Sequence, residues 1–73
     1  MDRRSPITIV TQNVNDAMND AGVTPATLSQ ATGIQPSVLR ERLTGRSPFT
    51  IRELLGVGGF FRIDPAALLI PKS

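Results

Sequence analysis

Proline and glycine punctuation cuts this chain into helices too short to stand alone. Ser5-Pro6, Thr24-Pro25, Gln35-Pro36 and Asp64-Pro65 each set a polar residue in the cap position before a proline. A cap side-chain oxygen satisfies an orphan amide, and proline fits the first helical position, where its missing N–H has no intrahelical acceptor to lose. Gly22, Gly33 and Gly45 each follow an apolar-periodic segment and supply left-handed stops. Isolated helices below about 12–15 residues are marginal in water, so these segments depend on packing against one another. The expected fold class is all-α, a compact bundle of five helices.

The apolar spacing assigns faces. In the first helix Val10, Val14, Ala17, Met18 and Ala21 form one stripe, with Asn13, Asn15, Asp16, Asn19 and Asp20 opposite. Its start lies at Pro6 or Thr8, because the β-branched run Ile7 to Thr11 also suits extended chain. In the second helix Leu28 and Ala31 point inward, and Val23 staples onto Leu28. In the third, Leu39 and Leu43 form the buried ridge. Thr50 and Glu53 make a capping box for the fourth, whose Ile51, Leu54, Leu55 and Phe61 face the core. Gly56, Gly58 and Gly59 lie inside that helix, each costing up to about 1 kcal/mol relative to Ala. Either another segment packs closely there or the helix is soft. A fifth helix runs from Asp64-Pro65 through Leu68, Leu69 and Ile70 and stops at Pro71. Residues 8–70 form the domain, 1–7 an N-terminal arm and 71–73 a tail.

With 73 residues the chain holds one domain and a thin stability margin. It contains no Cys and no His. A disulfide scaffold and a thiolate metal site are thereby excluded, and so are the commonest general base and metal ligand. No apolar run approaches the roughly 20 residues of a membrane span, and Met1-Asp2-Arg3-Arg4 precedes nothing long enough for a secretory signal. A cytoplasmic protein with no membrane partner is expected. Asp16 and Asp20 are four apart and could share acid–base work, but they sit among Asn on a polar face. No enzyme activity, cofactor, metal or small-molecule effector is expected. The net charge is +2, and its placement says more than its sum. Arg40, Arg42, Arg46 and Arg52 lie close together, opposed by Glu41 and Glu53. Such a segment attracts a phosphate backbone, or it is an ion-paired, solvated helix face.

Two short helices joined by a tight turn at Gly33-Ile34 make a helix-turn-helix pattern. The stretch Thr24-Pro-Ala-Thr-Leu-Ser-Gln-Ala-Thr-Gly-Ile-Gln-Pro-Ser-Val-Leu-Arg-Glu-Arg-Leu-Thr-Gly45 resembles the helix-turn-helix of the phage lambda repressor and Cro-like family. Arg46 to Leu55 and Ile63-Asp-Pro-Ala-Ala-Leu-Leu69 are similar to that family's fourth and fifth helices. The resemblance implies a five-helix fold and sequence-specific binding of double-stranded DNA, often by a homodimer on a two-fold operator. The sequence departs from the family at Pro25, Ser29, Pro36 and Arg62. The last replaces a usual glycine, and positive φ at a non-glycine costs roughly 1–2 kcal/mol.

A reading helix at 35–44 places the contacts. With Leu39 and Leu43 inward, the 3.6-residue period turns Ser37, Glu41 and Thr44 outward, flanked by Val38 and Arg40. Arg40 suits guanine, Glu41 the cytosine amino group, Val38 a thymine methyl, and Ser37 either donor or acceptor edges. Thr24, Gln35, Arg42, Arg46 and Ser47 are candidates for the DNA backbone, where contacts fix register. Arg3 and Arg4 form a minor-groove arm or a solvated terminus. Phe60 and Phe61 fill the core, the preferred reading, or join a dimer face, for which Leu69 and Ile70 make the candidate edge. The expected function is a transcriptional regulator of Cro or minimal-repressor type. The alternative is a protein-interaction module on the same fold, such as an antirepressor, an antitoxin-like partner or a host-factor inhibitor.

Overall fold

The computed structural model describes residues 6–71, all of whose regular elements are helical. The chain runs α1 (Pro6–Ala21), α2 (Pro25–Thr32), α3 (Pro36–Leu43), α4 (Ile51–Phe61) and a terminal 3-10 turn (Pro65–Leu69). The residues expected as an arm, Arg3 and Arg4, lie outside the described residues. The β-branched start of α1 is helical, and Gly22, at φ 67°, ends it. The Cα radius of gyration is 11.3 Å, close to the roughly 11 Å of a compact chain of this length.

The core gathers one or two apolar side chains from each turn of the bundle. Val10, Val14 and Met18 of α1 meet Leu28, Ile34, Leu39, Phe49, Leu54, Val57 and Leu68. Val23, Val38, Leu43, Phe61 and Ile63 close its margin. α3 packs on α1 and α2, whereas α4 packs on α2 and on the 3-10 turn.

Several expectations about faces need correction. Asn13, assigned to the polar side of α1, is buried. Its amide nitrogen donates to the carbonyls of Leu68, at 2.8 Å, and Ile70, at 2.9 Å. The core-facing arc of α1 is therefore wider than its apolar stripe, and it holds the terminal turn by hydrogen bonds. Asn15 is half-buried for a similar reason and donates to Leu43 O at 3.1 Å. In α2 the inward partner of Leu28 is Ser29, not Ala31, which is exposed. Burial is tolerable for Ser29 because its hydroxyl donates to Ile34 O.

The fifth element is a 3-10 turn rather than an α-helix. Ala67 N–H bonds Asp64 O, and Ile70 N–H bonds Ala67 O. The space between Pro65 and Pro71 is too short to establish an i→i+4 ladder, and short pieces favour the tighter turn. Pro71 also pushes Ile70 into extended backbone, at φ −104° and ψ 128°.

In α4 the buried arc is Leu54, Val57, Gly58 and the half-buried Phe61. Ile51 and Leu55, expected in the core, are 70% and 57% exposed. Leu55 lies one residue, or about 100°, beyond Leu54 on the helix. Phe60, also expected in the core, is exposed and meets the half-buried Phe61 edge to face, with ring centroids 5.0 Å apart. Arg62 caps α4 in the left-handed region at φ 59°, as expected of the residue standing where glycine is usual.

The three glycines of α4 have different roles. A Cβ on Gly58 would lie 2.6 Å from Ile63 O, where the chain turns back toward the 3-10 segment. A Cβ on Gly59 would meet nothing within 4 Å. Gly58→Ala is therefore expected to lose about 1–3 kcal/mol by overpacking. Gly59→Ala is expected to gain up to about 1 kcal/mol of helix propensity. Urea titration of both variants checks the opposite signs. A second prediction concerns the clamp on the terminal turn. Asn13→Ala leaves two carbonyls without their donor and should cost about 1–3 kcal/mol, read as a lower urea midpoint with little change in slope.

Candidate nucleic-acid interface

The α2–α3 pair owes its geometry to local chemistry. The Thr24 hydroxyl oxygen accepts Thr27 N–H at 3.2 Å and caps α2, with Pro25 at the first helical position. Gly33, at φ 77°, ends α2, and its N–H bonds Ser29 O. Only Ile34 and Gln35 then separate it from Pro36. Ile34 is buried and pins the turn to the core, while Gln35, in extended backbone, starts α3 without a side-chain cap.

The far end of α3 is anchored by α1. Thr11 Oγ1 donates to Arg42 O at 3.1 Å, and Asn15 Nδ2 donates to Leu43 O at 3.1 Å. These are carbonyls of the last helical turn, which have no intrahelical donor. Leu39 is buried, so the opposite side of α3 presents Ser37, Arg40, Glu41 and Thr44 to solvent. Those four expected base-contacting residues are brought onto one face. Val38 is not fully among them, because it is half-buried against the core. The Thr44 hydroxyl donates to Arg40 O and Glu41 O, at 2.9 and 3.2 Å, which leaves it as an acceptor.

The expected backbone contacts divide. Thr24, Gln35 and Arg46 are exposed and Ser47 is half-buried. Arg42 requires correction as a phosphate ligand. Its Nε donates to Glu53 Oε1 at 2.9 Å, and the two side chains are only 17% and 16% exposed. It also lies 3.8 Å from the Glu41 carboxylate. A cation held this way ties α3 to α4 and is already neutralised. No ion pair to another described residue engages Arg40 or Arg46.

A groove of about 560 Å³ runs beside this face, between α2 and α3. Pro25, Ala26 and Gln30 form one wall, Pro36, Arg40 and Thr44 the other, and Leu39 and Leu43 lie at its floor. Gln30 escaped the sequence reading. The signal was its position four residues before Ile34, on the polar side of α2. The Arg42–Glu53 pair also escaped it, because eleven residues separate two charges that each looked like surface.

Burial alone would raise the Glu53 carboxyl. The Arg42 hydrogen bond, the Thr50 amide and hydroxyl, and the Arg42 charge outweigh it and hold the group below its ordinary value of 4.5. A depressed folded value stabilises the protein above the unfolded value, and that stability is lost as pH falls through the folded one.

Among the described residues no helix is long and apolar enough to cross a membrane. Comparison of the chain with protein-family models, with curated proteins and with solved structures found no match.

Glu53→Gln removes the charge while keeping the shape. It is expected to cost about 2 kcal/mol at neutral pH and to flatten part of the acid-induced fall in stability below pH 4.5. Thermal melts of both proteins across the acid range measure this. Parallel curves would show that Glu53 is not the responsible group.

Proposed function

We propose that this protein is a sequence-specific double-stranded DNA-binding transcriptional regulator of the helix-turn-helix type, reading the major groove with α3. One observation carries the proposal. Arg40 stands exposed and without an ion pair to any described residue, at the α2 edge of the outward face of α3, beside Ser37, Glu41 and Thr44. That set combines a bidentate donor for guanine, an acceptor for cytosine and two hydroxyls. The face belongs to a helix about 10–12 Å across, which a major groove about 12 Å wide admits.

Supporting groups lie where phosphates would pass. Arg46 follows α3 in an exposed loop. At the capped start of α2, Pro25 has no N–H and Thr27 N–H is taken by the Thr24 hydroxyl, which leaves the Ala26 amide to face an anion. Glu41 opposes indiscriminate phosphate binding and thereby favours selectivity. The resemblance to the lambda repressor and Cro-like family supports the same reading, with the homodimer on a two-fold site that it implies. The exposed Leu69 and Ile70 offer one apolar edge for that pairing.

A protein-interaction module on the same fold is the second reading. It is favoured by the loss of Arg42 to Glu53, which reduces the cationic cluster, and by the exposed Ile51 and Leu55.

Selection of bound duplexes from a random-sequence pool tests the proposal. The expected result is a reproducible motif that Arg40→Ala relaxes at one position, with a loss of about 1–3 kcal/mol. Affinity should fall with salt by about 0.9 log units per phosphate contact for each log unit of salt. An unenriched pool at moderate salt would sink the DNA reading and leave the second.

A further inference from the structure

The groove between α2 and α3 has a chemistry of its own. It encloses about 560 Å³, within the range of about 300–1,000 Å³ usual for small-ligand sites. Its apolar lining is aliphatic, with Leu39 and Leu43 at the floor, Pro25 and Ala26 on the α2 wall and Pro36 on the α3 wall. No aromatic ring and no acidic side chain lines it.

Most hydrogen-bond donors of the lining are spent inside the fold. Both amide hydrogens of Asn15 go to carbonyls, those of Thr11 at 2.9 Å and Leu43 at 3.1 Å. The Ser29 hydroxyl donates to Ile34 O, and the Thr44 hydroxyl to Arg40 O and Glu41 O. Two side chains keep their hydrogens, Gln30 on α2 and Arg40 on α3. They stand on facing walls, exposed, and neither side chain is bonded to another described residue. The groove therefore asks for a ligand with an anionic, hydrogen-bond-accepting end and an aliphatic body.

We propose that this groove binds a medium-chain aliphatic carboxylate, with the carboxylate held by Arg40 and Gln30 and the hydrocarbon chain laid on Leu39 and Leu43. A carboxylate presents two coplanar acceptors, which the guanidinium fork matches. The aliphatic lining has bulk for a hydrocarbon chain and no ring on which an aromatic ligand would stack. α2 and α3 have eight residues each. Such helices are about 12 Å long, a length that a chain of about eight carbons fills. This site replaces the expectation that the protein takes no small-molecule effector. It stands apart from the DNA reading and meets it only at Arg40, which cannot serve a carboxylate and a base at once.

Amide NMR titration of the full chain with sodium octanoate tests the site. Saturating shifts are expected at Ala26, Gln30, Leu39 and Leu43, and not around Leu55 on the exposed apolar side of α4. Hexanoate should bind more weakly, by up to about fourfold for each CH₂ lost. Arg40→Gln should weaken octanoate by about tenfold and leave 1-octanol unchanged. Ala26→Trp fills the groove from its wall and should abolish binding of both. Both positions are exposed, so both variants should fold as the parent does, which circular dichroism checks. No saturating shift in the groove, shifts centred on Leu55 instead, or octanoate binding that survives Ala26→Trp overturns the site. Equal weakening of octanoate and 1-octanol by Arg40→Gln overturns the carboxylate as its ligand.

Discussion

One carboxylate oxygen joins the two halves of this protein. Glu53 Oε1 accepts Thr50 N–H at 2.9 Å and Arg42 Nε–H at 2.9 Å. The first bond starts α4. The second orients α3 against it across a loop. Neither partner is freely solvated, so removing one leaves the other charge buried and uncompensated, which costs more than the pair itself contributes. The geometry of the outward α3 face thus depends on a group that touches no part of that face.

The remaining order rests on a small apolar core with polar fasteners around it. Asn13, Asn15, Thr11 and Ser29 each donate to a backbone carbonyl of another element or turn. No buried side-chain polar atom among the described residues lacks a hydrogen-bond partner. A chain this short buries little apolar area, and directional bonds set the relative placement of helices that apolar contact alone would leave free to slide.

The legible part of the sequence was its punctuation. Thr24-Pro25, Gly33, the Thr50–Glu53 box and Asp64-Pro65 mark element ends correctly because capping is local chemistry, settled within three or four residues, whereas Gln35-Pro36 marks one through its proline and makes no side-chain cap. Faces were less legible. Asn13 reads as polar surface until the carbonyls of Leu68 and Ile70, more than fifty positions away in sequence, come to rest beside it. Ile51 and Leu55 read as core because their residue type predicts burial, while the 3.6-residue period, centred on Leu54 and Val57, turns them away. At the candidate interface the period correctly set Ser37, Arg40, Glu41 and Thr44 outward. It had no means of showing that Arg42 was already engaged by Glu53.

The attachments of α3 are unevenly distributed along its length. Its last turn is bolted to α1 by Thr11 and Asn15 and to α4 through Arg42. Its first turn begins at an uncapped Gln35 and a proline that donates no amide hydrogen bond. The two ends are held differently. Buried Ile34, with the Ser29 hydroxyl bonded to its carbonyl, pins the N-terminal end through the preceding turn. The C-terminal end is bonded directly to α1 and α4.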